Sequence, residues 1–197
     1  MNGMLEALKR ASRDLAALDR SWALVGGLAV SVRTEPRFTR DVDLAVSVRG
    51  DADAEQLIGQ LLAGGYRLLF TVEQDAVGRL ATVRLGPPGS SSEAIVLDLL
   101  FASSGIEPEL VADAELLEIW PDLRVPVPRV GHLLALKVLA RDDLRRPQDV
   151  ADIRMLLAAA DGAELQRARA ALTLMTERGY HRGKDLQADW TALVGVG

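Results

Sequence analysis

Apolar residues at Met4, Leu5, Leu8, Ala11, Leu15 and Leu18 recur at spacings of three and four, which predicts an amphipathic first helix. The short run Trp22 to Val25 reads as a strand, and it ends at Gly26-Gly27 before Leu28 to Val32 opens a second helix. After a polar loop over 33–40, Val42, Leu44, Val46 and Val48 alternate with Asp41, Asp43, Ala45 and Ser47, the period-two pattern of a strand. Asp41 and Asp43 therefore point to one face. Asp53 is placed as the cap of a helix over Ala54 to Leu62 that ends at Gly64-Gly65. Three further strands follow at Tyr66 to Val72, Arg79 to Leu85 and Ala94 to Phe101, with the loop from Gly86 to Ser92 as a hairpin connection. Two short strands are expected between Glu115 and Val127, around Trp120-Pro121-Asp122. From there the period is helical: Val130 to Asp142, Pro147 to Ala159 and Ala163 to Arg178. The fold class is thus α/β (α+β), a small mixed sheet flanked by helices and followed by a C-terminal helical bundle. We divide it as a core over 1–128 and a helical region over 129–197 packed on that core.

Composition narrows the function classes. Hydrophobic residues make up 49% of the 197 and aromatic ones only 4%, so aliphatic side chains must fill the core. The apolar stretches around Ala94 to Ala102 and His132 to Ala140 are broken by Asp98 and Lys137 and fall short of the roughly 20 residues of a membrane span. The first 18 residues carry five charges among their apolar positions, unlike a secretory signal, and the expectation is a cytoplasmic monomer with no membrane partner. Without cysteine there are no disulfides, thiolate nucleophiles or cysteine zinc sites, and two histidines leave little for a histidine-built centre. Any metal must be held by carboxylates.

The net charge of -5 is unevenly spread: residues 1–120 hold 11 basic against 18 acidic residues, and residues 121–197 hold 12 against 10. A basic C-terminal end beside an acidic half suits a polyanionic partner, although solvated helix faces would produce the same count.

Three features carry candidate chemistry. Gly26-Gly27 at a strand-to-helix turn exposes backbone N–H groups at the positive end of a helix, a phosphate site in form, though most such pairs are only turns. Asp41 and Asp43 would repel each other on one face of a strand unless a cation sits between them or water solvates them both. Asp98 lies within Ile95-Val96-Leu97-Asp98-Leu99-Leu100-Phe101, where an unpaired charge would cost several kcal/mol. It needs a cationic partner, either an arginine in a structural ion pair or the metal ions that Asp41 and Asp43 would hold. Three carboxylates on neighbouring strands meet the needs of two Mg²⁺ ions about 3.5–4 Å apart.

Gly26-Gly27-Leu28-Ala29, then Arg37-Phe38-Thr39-Arg40-Asp41-Val42-Asp43-Leu44, then Leu97-Asp98-Leu99, together resemble the signature of polymerase β-like nucleotidyltransferases. His132 to Lys137, followed by Arg145-Arg146-Pro147-Gln148-Asp149-Val150-Ala151-Asp152-Ile153, resembles the helical region of the AbiEii-like nucleotidyltransferase toxins of bacterial toxin-antitoxin pairs. The resemblance covers roughly residues 20–160, and it departs from many relatives in having Gly27 where they have serine. It implies the polymerase β-like fold and a Mg²⁺- or Mn²⁺-dependent enzyme that transfers a nucleoside monophosphate from an NTP. The implied acceptor is RNA, in the tRNA-modifying branch the tRNA 3′ end, and a cognate antitoxin is the implied partner. Asp41, Asp43 and Asp98 would be catalytic and hold the metal. Asp98 would be the base or the ligand that activates the acceptor, on the expectation that it is the best desolvated carboxylate. Lys137 would contact the triphosphate, with Asp152 a further site residue orienting Lys137 or an arginine, and Asp149 would only cap or pair on the helix surface. Gly26, Gly27, Ser31 and Thr39 would complete the nucleotide site, and Arg178, Arg182 and Lys184 would contact RNA. Transfer to a protein or small-molecule hydroxyl is the alternative, and an inert binding partner is a third.

Overall fold

The computed structural model describes residues 2–36, 39, 41–89, 95–143 and 145–195. Arg37, Phe38 and Arg40 of the motif before Asp41, and the Ser90 to Ser92 part of the hairpin loop, lie outside the described residues. Helix α1 spans Asn2–Ala17 and buries Leu8, Ala11 and Leu15, its three-and-four-spaced face. Strand β1 is Trp22–Val25, and α2, Gly26–Arg33, begins directly at the glycine pair rather than after it. Strand β2 is Val42–Val46 and α3 is Asp51–Ala63. Asp53 is inside the first turn of α3, not at its cap: its carboxylate takes Arg20 at 2.6 Å and the Arg49 N–H at 3.0 Å, which holds its pKa down at about 2. Gly65, at φ +92, turns the chain out of that helix.

Strands β3 (Arg67–Gln74), β4 (Arg79–Gly86) and β5 (Leu97–Leu100) complete a five-stranded mixed sheet in the order β1-β2-β5-β4-β3. Only β2 and β5 run parallel, because α3 and the β3–β4 hairpin intervene between them and carry the chain back to the starting edge. A six-residue helix α4, Glu107–Ala112, precedes the two-stranded β6 (Glu115–Trp120) and β7 (Leu123–Val127), and β7 lies beside β1. Four helices end the fold: α5 (Val130–Ala140), α6 (Pro147–Ala159), α7 (Gly162–Glu177) and α8 (Leu186–Val194). Helix α5 is the axis of this group, apolar nearly all round and in contact with α2, α6, α7 and α8. At Gly131 a side chain would run into the Glu164 carbonyl of α7, 2.4 Å from an ideal Cβ, so glycine permits the close crossing. One cluster of buried residues extends from Leu8 through Leu44 and Leu99 to Leu134, Leu172 and Trp190, joining sheet and helices in a single core. No helix among the described residues is long and apolar enough to cross a membrane.

Candidate active site

The sheet register assembles the site. Val25 pairs with Asp43, Asp43 with Asp98, and Asp98 with Arg84, so one rung across four strands carries two carboxylates and a guanidinium. Paired residues on adjacent strands share a face, and Asp41 joins it from one residue before β2. Gly26 closes the near side: its φ of +66 favours glycine, and a Cβ there would lie 1.9 Å from Asp43 Oδ2. The helix that starts at Gly26 has apolar Val25 at its N-cap, so no side chain there competes for the first-turn N–H groups.

Asp43 is half-buried, and its pKa is pushed up to about 7, first by burial and then by the Asp98 and Asp41 charges, against opposing help from Lys137 and Arg84. Asp98 is buried, and Arg84 grips it with two bonds, Nε to Oδ1 at 2.7 Å and Nη2 to Oδ2 at 2.6 Å. The cationic partner that Asp98 needs is thus an arginine in a bidentate ion pair. The same guanidinium is 4.0 Å from Asp41 and 4.9 Å from the centre of the Phe70 ring.

Lys137 enters from α5 on the opposite wall. Its Nζ is 2.8 Å from Asp149 Oδ1 and 2.8 Å from Asp152 Oδ2, both fully buried on α6, and Arg146 Nε is 2.8 Å from the second Asp149 oxygen. Asp149 is thus an interior partner of Lys137, not a surface cap. It sits one turn before Asp152, so both reach the same ammonium.

These walls enclose a cleft of about 480 Å³ lined by Gly26, Gly27, Thr39, Asp41, Asp43, Asp98 and Lys137, and also by Thr82, Arg84, Ser103, Ser104, Arg146, Gln148 and Arg182. Ser31 is not brought to it: its hydroxyl donates back to the Gly27 carbonyl at 3.1 Å within α2. Asp152 does not line the cleft, and its Oδ2 is 2.8 Å from the Lys137 Nζ that does. The three basic residues expected at an RNA surface separate. Arg178 is taken by Glu109 at 2.6 Å, and Lys184 donates to the Leu139 carbonyl at 2.8 Å and to that of Arg141, capping the end of α5. Arg182 alone lines the cleft, donating to the Ser103 carbonyl at 2.9 Å. Ser103 and Ser104 are held by Glu107, whose carboxylate accepts their N–H groups and that of Gly105. The residues not anticipated have traceable signals. Thr82 and Arg84 occupy the alternate positions of a strand that buries Ala81, Val83 and Leu85, and Ser104-x-x-Glu107 is a capping signature ahead of α4.

Residues 7–193 match the family described as "Nucleotidyl transferase AbiEii toxin, Type IV TA system". The chain belongs to the AbiEii nucleotidyltransferase toxin family. No curated protein matches the sequence. Among solved structures, the AbiEii-family chain is similar to an antigenic nucleotidyltransferase-like protein from Paracoccidioides brasiliensis, at 21% identity, TM-score 0.51, covering 92% of this chain and 89% of that one. It is also similar to the antibiotic-resistance factor ANT(2'')-Ia, at 14% identity, TM-score 0.57, covering 90% and 93%. The lincosamide antibiotic adenylyltransferase LnuA in its lincomycin-bound form matches at 17% identity, TM-score 0.50, covering 79% and 97%. At these identities the likeness is one of fold, and it places the mixed sheet and C-terminal helices in the nucleotidyltransferase fold. Membership makes the AbiEii-family chain a nucleotidyltransferase toxin of a type IV system, with an NTP as substrate and an antitoxin as counterpart.

The donor set suits a hard divalent cation in kind. It is all carboxylate oxygen, and after burial the charges of Asp98 and Asp41 raise Asp43 further, a repulsion that such a cation would relieve. The set is not closed, however. Among the described residues no three His, Cys, Asp or Glu side chains are assembled closely enough to hold a metal ion, and Asp98 is engaged by Arg84.

Proposed function

We propose that this toxin transfers a nucleoside monophosphate from an NTP to a hydroxyl of an RNA acceptor, the 3′ end of tRNA, in a Mg²⁺- or Mn²⁺-dependent reaction. The observation that carries the reading is the single rung bearing Asp43 and Asp98 beside the Gly26-Gly27 helix start, with Lys137 facing them across one cleft. Asp41, Asp43 and Asp98 would hold the divalent cations, which when bound supply charge neutralisation at the reacting phosphate. The first-turn N–H groups of α2 and the Lys137 ammonium receive phosphate oxygens, and Asp149 and Asp152 keep that ammonium in place. The acceptor oxygen attacks the α-phosphorus in line, the bond to the bridging oxygen breaks, and pyrophosphate leaves. The acceptor's proton passes to the carboxylate cluster, with Asp98 as the base or the group that orients the acceptor. Arg182 and Arg146, at the cleft wall, suit contacts to a phosphate backbone.

The test is incubation of the purified protein with each α-³²P-labelled NTP, Mg²⁺ and total bacterial tRNA, beside an Asp41→Ala, Asp43→Ala control. The expected result is label on tRNA that disappears in the control. Label on a protein band or on a small hydroxylated compound alone would replace the acceptor, and no transfer in any fraction would make the chain a binding partner instead of an enzyme.

A further inference from the structure

The Arg84–Asp98 pair is not needed to hold its strands together. β4 and β5 are joined by the register from Thr82↔Leu100 to Leu85↔Leu97, above the fully buried side chains of Val83, Leu85, Leu97 and Leu99. What the pair does is engage both oxygens of Asp98, at 2.7 and 2.6 Å. The lone pairs that a guanidinium fork occupies are those a divalent cation needs, so the two partners exclude each other from the same carboxylate. Arg84 is also 4.0 Å from Asp41, and one side chain thereby serves as an internal counter-ion to two of the three acidic groups. Its side chain is partly exposed, and its guanidinium lies over the half-exposed Phe70 ring, 4.9 Å from the centre, while it holds Asp98.

We propose that Arg84 is a positioning residue that holds Asp98 out of the metal-binding set and gives up its hold on that carboxylate when a divalent cation is taken up. This rests on the metal-dependent reading of the same site. Its consequence is that the resting protein binds a divalent cation weakly, because uptake at Asp98 must displace a bidentate ion pair. An Asp98 already free would carry no such penalty.

The experiment is Mn²⁺ binding to the nucleotide-free full chain, followed by the EPR signal of the free ion. Arg84→Gln is expected to bind Mn²⁺ on the order of tenfold tighter than wild type, and Arg84→Lys, which keeps the charge but loses the fork, to fall between them. Adding Asp98→Asn to Arg84→Gln should return the affinity to the wild-type level. Equal or weaker binding by Arg84→Gln, with Asp43→Asn still reducing the wild-type affinity, overturns the role of Arg84 and leaves the metal reading standing. Absence of Mn²⁺ binding in both wild type and Arg84→Gln overturns both. A second measurement uses wild-type protein labelled with ¹⁵N-arginine, in which the Arg84 Nε–H signal is the one missing from Arg84→Lys. It should shift and lose protection from exchange when Mg²⁺ is added, and an unaltered signal at saturating Mg²⁺ overturns the displacement.

Discussion

On the sheet wall of the cleft Asp43 and Asp98 share a rung, with one arginine among the described residues, Arg84, set against three carboxylates; on the helical wall Asp149 and Asp152 share the Lys137 ammonium, with Arg146 behind them. Both clusters line or adjoin the same cleft, yet among the described residues the first has fewer cations than carboxylates and the second does not. The helical cluster sets two carboxylates against two cations and is complete in itself, so it works as a mount that fixes Lys137. In the sheet cluster burial first, and then the Asp98 and Asp41 charges, push the Asp43 pKa up to about 7, and on the proposed reading this is the wall that would take a cation.

The largest expected effect is at Asp43. Asp43→Asn should reduce transfer at least a thousandfold, on the order of 4 kcal/mol of transition-state stabilisation, in a single-turnover assay with labelled NTP. In EDTA the same substitution should stabilise the fold. Asp43 keeps its proton to about pH 7 when folded, against an ordinary value of 3.8, so the folded state binds more protons in that window and loses stability as pH rises through it. Calorimetric melting should therefore show a higher Tm for Asp43→Asn by several degrees at pH 8 and little difference at pH 4. A variant that melts no higher at pH 8 would mean that the sheet wall is as well balanced as the helical one.

The mirror experiment is Asp149→Ala. It leaves Lys137 and Arg146 beside a single remaining carboxylate, and urea unfolding should record a loss of about 3–5 kcal/mol. If the variant unfolds at the wild-type midpoint, the helical cluster is not a mount. Gly26→Ala adds a strained φ and presses a methyl on Asp43, so we expect about 1–3 kcal/mol of destabilisation and a fall in activity larger than that of a Gly59→Ala control, where nothing lies near the added atom. The smallest effects distinguish the basic residues. Arg178→Ala should cost under about 1 kcal/mol and leave RNA affinity unchanged, whereas Arg182→Ala should lower the slope of log affinity against log salt by about one. Equal slopes in the two variants would remove Arg182 from the acceptor path.

Much of the sheet was legible because alternation in Val42 to Val48 and in Arg79 to Leu85 reports directly which side chains face the core. Helix α4 escaped notice because six residues are too few for a helical period, and α8 because its buried face reduces to Leu186 and Trp190. The partners of the predicted site residues were not legible for a common reason. Lys184 and Arg178 look like free cations in a linear chain, but folding brings the end of α5 to one and Glu109 to the other. Ser31 is drawn away by a bond to the carbonyl four residues earlier, a local competition that a hydroxyl within a helix often meets.

The sequence by itself determined the types of the longer, periodic elements, the shared face of Asp41 and Asp43, the need of Asp98 for a cationic partner and the glycine pair at a helix start, since all of these follow from side-chain period, turn chemistry and the cost of burying charge. Which cation meets Asp98, which of the carboxylates bears the surplus charge, and whether Asp149 lies inside or outside were decided by the tertiary structure. They depend on register across β2, β5 and β4 and on the packing of α6 against α5, where residues 12 to 55 positions apart come within hydrogen-bond reach or alter each other's charge.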